Sequence, residues 1–379
     1  MTTSTRRRHP NRVSEEFAVS GAAQGRGQEP RRAHFDAVPL GACLRARLTC
    51  FIIRFLKRPL DAERQAFQYR GSMFWRTVKQ RDYLIKESAG AVGKSLGPRS
   101  TETEAVFEEF RRRKAMTEER KRLLLTTVTQ QQRINAALRV GRTPNVVIDL
   151  LEALRRAQID DHFLVIGTNA LYAYETHAGV RFDGDLTATT DVDFLWDSRK
   201  HLALVSSDPD FNERGLIFIL KKADPSFQVL EGEPYRASNS KGYMVDLIKR
   251  RPDSLFDDKE QGQVRPVLED FWAAKIRHMD WLLSSPKFKQ TVVGVNGRMA
   301  EMITVDPRAF VLFKLYMAQK DDRNPAKKLR DLAQARATFQ LIEERFPHLA
   351  FDRIHVFPER IQKMLESAET PGPKEPQSP

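Results

Sequence analysis

Cysteine is nearly absent. The 379-residue chain has two, Cys43 and Cys50, in a stretch that reads as lying outside any core. This excludes a disulfide framework and a zinc site of paired-cysteine spacing, and it fits a reducing, cytoplasmic setting. Histidine offers no alternative, since His162, His177 and His278 lack metal-ligand spacing. Long apolar runs are also missing. The best candidate, Leu48 to Leu56, is too short to span a bilayer and is broken by Arg54. It follows a basic stretch, so a signal peptide and a start codon assigned too far upstream are the two readings of that region. No small-residue cleavage site stands out. No membrane partner is expected.

Acid falls short of base. The formal net charge is +13, and part of the excess sits in the arginine-rich residues 1–60. The rest suits either a polyanion, such as nucleic acid or nucleotide phosphates, or a plain solvated surface. The apolar fraction of 41% is that of an ordinary globular protein.

Residues 1–60 read as a disordered basic tail, and residues 367–379 as a second disordered tail. Residues 61–142 form an accessory unit. "GSMFWRTVKQRDYLIKES" has the pattern of a β-hairpin, and "GKSLGPRS" that of a closing turn. From Thr101 to Val140 an apolar stripe (Phe107, Phe110, Met116, Leu123, Leu124, Val128) predicts one or two amphipathic helices. Their basic clusters read as nucleic-acid contacts or as a solvated face.

Residues 143–260 form an α+β core with a mixed sheet. Thr143-Pro144 reads as a helix start with a capping hydroxyl. "HFLVIG" reads as a buried strand, and "TNALYAYETHAG" as a helix closed by Gly179. "TTDVDFLWD", "GLIFILKK", "SFQVLE" and "GYMVDLIKR" read as strands. Residues 261–366 form a mainly helical region. There "VLEDFWAAKIRHMDWLLSS" reads as an amphipathic helix, "TVVGVNGRMAEMITV" as a hairpin turning at Asn296-Gly297, and two helices follow.

Three segments carry chemistry. The strand–glycine–helix junction at Gly167, Thr168 and Asn169 lets backbone approach a ligand at the positive end of a helix, which suits phosphate, although glycine ends many strands for steric reasons. In "TTDVDFLWD" the twofold strand period puts Asp191 and Asp193 on one face, with Val192, Phe194 and Trp196 on the other. Two such carboxylates repel unless a cation lies between them, and hard oxygens suit magnesium. The plain reading is a solvated acidic strand end. Asp246, in "GYMVDLIKR", is an acid in an apolar strand, explained by metal or by an ion pair with a nearby lysine or arginine. Asp183, Asp185 and Asp197 read as solvated. Tyr172, Tyr174, Trp272 and Trp281 read as core residues at helical positions.

Taken together, glycine turn and helix, Asp-x-Asp, then a third aspartate on a later strand resemble the nucleotidyltransferase superfamily of the DNA polymerase β type. "VIGTNALYAYETHAGV", "TTDVDFLWD", "GYMVDLIKR" and "FKLYMAQKDDRNPAKKLRDLAQA" look like one bacterial family of uncharacterised nucleotidyltransferase-fold proteins. The resemblance covers the chain from about Asp61 to the final helices. It implies two magnesium ions on Asp191, Asp193 and Asp246, and a nucleoside triphosphate, ATP among them, as substrate. Asp246 would also help to deprotonate the acceptor hydroxyl. Gly167 and Thr168 would hold the β- and γ-phosphates, with Lys314, Arg323 and Lys328 supplying cations. Acceptors in reach of such chemistry are RNA (a tRNA end), a protein side chain or a small molecule. Relatives by fold include toxins of defence systems. The other reading is an inactive transferase fold that binds nucleic acid through its N-terminal hairpin and basic helices. The chain departs from the superfamily in having Gly167-Thr168 where Gly-Gly or Gly-Ser is usual, and in the insert "GVRFDGDLTA" before the Asp-x-Asp strand.

Overall fold

A computed structural model describes residues 36–37, 69, 71–87, 93–199, 209–251, 262–349, 351, 354 and 356–365. All of them fall in one compact unit, Ala33–Pro379. The expected C-terminal tail and most of the expected N-terminal tail lie outside the described residues. Within the latter, Asp36–Ala37 (β1) is a short strand that pairs antiparallel with Val180–Arg181.

Strands Ser72–Val78 (β2) and Arg81–Glu87 (β3) form the expected hairpin. Its two-residue turn is Lys79-Gln80, both with positive φ, the geometry that matches strand twist. The following segment is not a turn. Lys94–Pro98 (β4) adds a third antiparallel strand on β3. Ser100 then caps a single 37-residue helix, Thr101–Ala137 (α1), through a reciprocal bond pair with Thr103. Trp75 and Phe107 pack ring to ring at 5.8 Å between sheet and helix. The other end of α1 is held by Asn135, whose amide donates to the carbonyl of Gly297 at 3.1 Å. Along its length Met116 and Leu123 are exposed, so the basic and apolar stripes of α1 do not make a closed core.

Next come Asn145–Arg156 (α2), Phe163–Ile166 (β5), Ala170–Ala178 (α3), Val180–Arg181 (β6), the short Gly184–Thr187 (α4) and Asp191–Trp196 (β7). Helix α2 starts where expected, but not by a threonine cap. Thr143 instead bridges to Gly294, and its N–H donates to the Val293 carbonyl. Helix α3 ends at Gly179 as expected.

Residues Pro209–Ala223 form a helix (α5), correcting the strand expected at "GLIFILKK". A short, wholly apolar run does not reveal its period. Here Asp270 decides the outcome: its carboxylate accepts from the Leu216 and Ile217 amides, both at 2.8 Å, and restarts the helix after a kink at Gly215. The same contact accounts for the second correction. "VLEDFWAAKIRHMDWLLSS" is not one helix, because Asp270 turns inward and Ala274–Ile276 pairs alongside Ile248–Arg250. Trp272, expected in the core, is 53% exposed on this loop. Tertiary pairing has overridden local pattern.

The remaining elements are Gln228–Leu230 (β8), Glu233–Ser238 (β9), Met244–Arg250 (β10), Ala274–Ile276 (β11), Met279–Ser284 (α6), Lys287–Val293 (β12), Met299–Val305 (β13), Pro307–Gln319 (α7), Pro325–Arg345 (α8) and Glu359–Gln362 (α9). The main sheet runs β12-β13-β5-β7-β10-β9-β8, with β11 taking over beside β10 where β9 stops. It is mixed: β7 and β10 are parallel, β5 and β7 antiparallel. The sheet therefore draws strands from both sides of residue 260, and the hairpin at Asn296-Gly297 supplies two of them. This is the expected α+β class. Among the described residues no helix is long and apolar enough to cross a membrane.

Candidate active site

Register brings the acids together. Asp193 on β7 lies opposite Asp246 on parallel β10, and opposite Ile166 at the end of β5. Asp191 lies two residues earlier on the same face. Val192 and Phe194, on the other face, are buried in the core as the alternation requires.

Gly167 follows β5 directly and has φ of 67°. A Cβ there would collide with the Asp193 carboxylate. The glycine thus makes room for an acid of the neighbouring strand. Asn169 then fixes β7 from the other side, its amide donating to the Asp191 carbonyl at 2.6 Å, and Tyr243 donates to the same oxygen at 3.2 Å.

Asp193 is half-buried at the floor of a cleft, enclosed by protein except toward that opening. Desolvation first, then the Asp191 and Asp246 charges, push its carboxyl from 3.8 up to about 7, against the pull of Lys314 and Arg236. Asp246 is 8% exposed. Arg236, its cross-strand neighbour on β9, clamps it: Nε donates to Oδ1 at 2.7 Å and Nη2 to Oδ2 at 2.8 Å. The remaining Nη1 donates to Glu233 at 2.8 Å. The ion pair weighed for Asp246 on sequence grounds is therefore present, with a partner that sequence reasoning did not name.

The cleft encloses about 830 Å³. Gly167, Thr168, Asp191, Asp193, Asp246, Lys314 and Arg323 all line it, and these are seven of the residues that sequence pattern singled out. Lys328 is not among its lining residues; Lys327 and Arg330 are. The reason is helical: Lys328 lies about 100° around α8 from Lys327, whereas 327, 330 and 331 follow the i, i+3, i+4 stripe that faces the cleft. Lys314 does not snorkel freely. It is buried, and its Nζ donates to Asp331 at 2.7 Å; burial lowers its pKa and Asp331 opposes the drop. Asp197, expected to be solvated, is 3% exposed and paired with Arg199 at 2.7 Å.

Sequence reasoning missed Arg236, Asp331 and Gln334. Asp331 did carry a signal. It opens the buried stripe of α8 that continues through Ala335, Thr338 and Ile342, and an acid on such a stripe needs a partner. Arg236 carried none, since its role comes from the β9–β10 register.

Whether the site suits a divalent cation depends on two observations. Three hard-oxygen side chains share one face, and burial first, then their mutual repulsion, raises Asp193, a strain that a bound cation would relieve. As the side chains stand, however, no group of three or more His, Cys, Asp or Glu among the described residues is assembled to hold a metal ion. Thr189 engages Asp191 and Arg236 engages Asp246. The donor chemistry fits. Completing the set requires Asp246 to share or exchange its arginine, and each carboxylate oxygen keeps a further lone pair for that purpose.

A family model described as nucleotidyltransferase matches residues 145–355. That span runs from α2 through α8 and contains every residue discussed in this section. Searches of curated proteins and of solved structures returned no match.

Proposed function

As this chain belongs to the nucleotidyltransferase family, we propose that it moves a nucleoside monophosphate from a triphosphate to a hydroxyl acceptor, with magnesium as cofactor. The observation that carries this reading is that one cleft is lined both by the acids Asp191, Asp193 and Asp246 and by the cations Lys314, Arg323, Lys327 and Arg330. Anionic phosphates suit the cationic side, and a divalent cation suits the carboxylate side. Asp191, Asp193 and Asp246 would hold the magnesium, two ions in this reading, which when bound neutralises the carboxylates and stabilises charge on the entering and leaving oxygens.

The chain's own residues do the rest. Lys314, Arg323, Lys327 and Arg330 bind and orient the phosphate oxygens. Thr168 accepts a hydrogen bond from Gln334 at 3.2 Å and retains its own proton to donate to a phosphate. Asp246 accepts the proton of the acceptor hydroxyl. The freed oxygen bonds to the α-phosphorus, the bond to the bridging oxygen breaks, and pyrophosphate leaves. The acceptor is a hydroxyl of RNA (a tRNA end), of a protein side chain or of a small molecule.

One observation favours a second reading, a transferase fold that binds nucleotide or nucleic acid without turnover: both oxygens of Asp246 are occupied by Arg236. Incubation with each α-labelled triphosphate, magnesium and cell RNA or lysate separates the two. Label that reaches an acceptor with the wild-type protein, and is lost in the Asp191→Ala/Asp193→Ala double variant, supports transfer. Binding of triphosphate or RNA with no label transferred supports the second reading.

The clamp itself makes a prediction. Arg236→Gln removes a competitor for Asp246, so Mn²⁺ should bind about tenfold more tightly than to the wild-type protein in a calorimetric titration. Unchanged affinity would mean that Asp246 is not a ligand.

A further inference from the structure

We propose that Asp331 is the positioning residue of the phosphate end of the cleft, and that one turn of α8 fixes where a polyphosphate chain sits. This rests on the transferase reading above. Asp331 is 2% exposed. Its Oδ1 accepts from Lys314 Nζ at 2.7 Å, and its Oδ2 accepts from Arg323 Nε at 2.9 Å and Nη2 at 2.8 Å. The two cations come from different segments, α7 and the loop before α8. Without the carboxylate they would repel each other. With it they form a fixed pair carrying one net positive charge, and both line the cleft.

Each cation still has donors to offer. An ammonium has three N–H groups and a guanidinium five, so hydrogen bonds remain for a ligand after Asp331 is satisfied. The same helical turn holds the rest of this end. Gln334, fully buried, donates to the Leu186 carbonyl at 2.7 Å and to Thr168 Oγ1 at 3.2 Å. Arg330 donates to the Ala188 carbonyl. Residues 330, 331 and 334 thereby tie α8 to α7, to the loop before α8, to the 186–188 segment and to the glycine turn. A rigid cation pair beside a threonine hydroxyl and a helix start has the chemistry of a polyphosphate cradle.

The charge sign makes the inference testable. If Asp331 merely diluted positive charge, removing its charge would tighten anion binding. If it positions the pair, removal weakens binding. The experiment measures calorimetric affinity of the full chain for inorganic tripolyphosphate, ATP and adenosine, in the wild-type protein and Asp331→Asn, with circular dichroism of both. The positioning role predicts about tenfold weaker binding of tripolyphosphate and ATP by Asp331→Asn, with adenosine unaffected. In turnover the loss should fall on KM rather than kcat. Should Asp331→Asn fail to fold, Lys314→Met and Arg323→Gln, which keep the carboxylate, should each weaken tripolyphosphate binding by a similar factor. Equal or tighter tripolyphosphate binding by a folded Asp331→Asn overturns the proposal, as does unchanged binding by the two cation variants. Asp331-dependent tripolyphosphate binding without label transfer upholds it while removing the transferase reading.

Discussion

Replacing Asp193 by asparagine is expected to yield a protein that is more stable without metal and inactive with it. The Asp193 carboxyl sits at about 7 against 3.8 for a free aspartate. A carboxylate raised in this way contributes its full stability below its unfolded value and loses it as pH climbs through its folded value. The metal-free wild-type protein should therefore weaken between about pH 4 and pH 8. After allowing for water entering through the cleft, the loss is about 2 to 3 kcal/mol. The asparagine amide cannot ionise, so the Asp193→Asn variant should lack that slope. The two proteins should agree near pH 4 and differ most near pH 8, as read from urea unfolding in the presence of a chelator. Magnesium should close the gap by stabilising only the wild type. Transfer activity should fall by at least about a thousandfold, since a neutral amide replaces a charged ligand where charge develops. A variant that is less stable at every pH would mean that Asp193 serves packing, and the carboxylate cluster would lose its functional reading.

Gly167→Ala should have the next largest effect, and through two separable causes. Its φ of 67° costs any residue with a side chain about 1 to 2 kcal/mol. The new methyl group also meets the Asp193 carboxylate. Gly242 isolates the first cause, with φ of 75° and nothing within 4 Å of a built Cβ. Gly242→Ala should lose similar stability and keep its activity. Gly167→Ala should lose activity about a hundredfold or more, because a carboxylate displaced by a fraction of an ångström no longer meets its ligand. Matched activity in the two variants would leave Gly167 with a backbone role alone.

What could be read from the sequence, and what could not, follows from the range of the forces involved. The Asp-x-Asp strand was legible because alternation is local: Asp191 and Asp193 share a face wherever that strand lies. The turn at Asn296-Gly297 and helices α7 and α8 were legible for the same reason. The run "GLIFILKK" was not, since its conformation depends on Asp270, some fifty residues later in the chain. The segment around Trp272 failed with it, as both are parts of one contact. In the site, Lys314 and Arg323 could be picked from their neighbourhood, but Lys328 could not be told from Lys327 without the phase of α8. Arg236 was invisible because only strand pairing sets it against Asp246.

The carboxylate of Asp270 links two parts of the protein that sequence keeps apart. It is the acceptor for the Leu216 and Ile217 amides, and it sits on the segment that leads into β11, whose Ala274 and Ile276 form one wall of the cleft. Those two amide protons can exchange with solvent only when the carboxylate withdraws. Hydrogen exchange at Leu216 and Ile217 therefore reports release of the Asp270 segment, which leads into the cleft lining. A ligand that packs against Ala274 and Ile276 should slow the exchange.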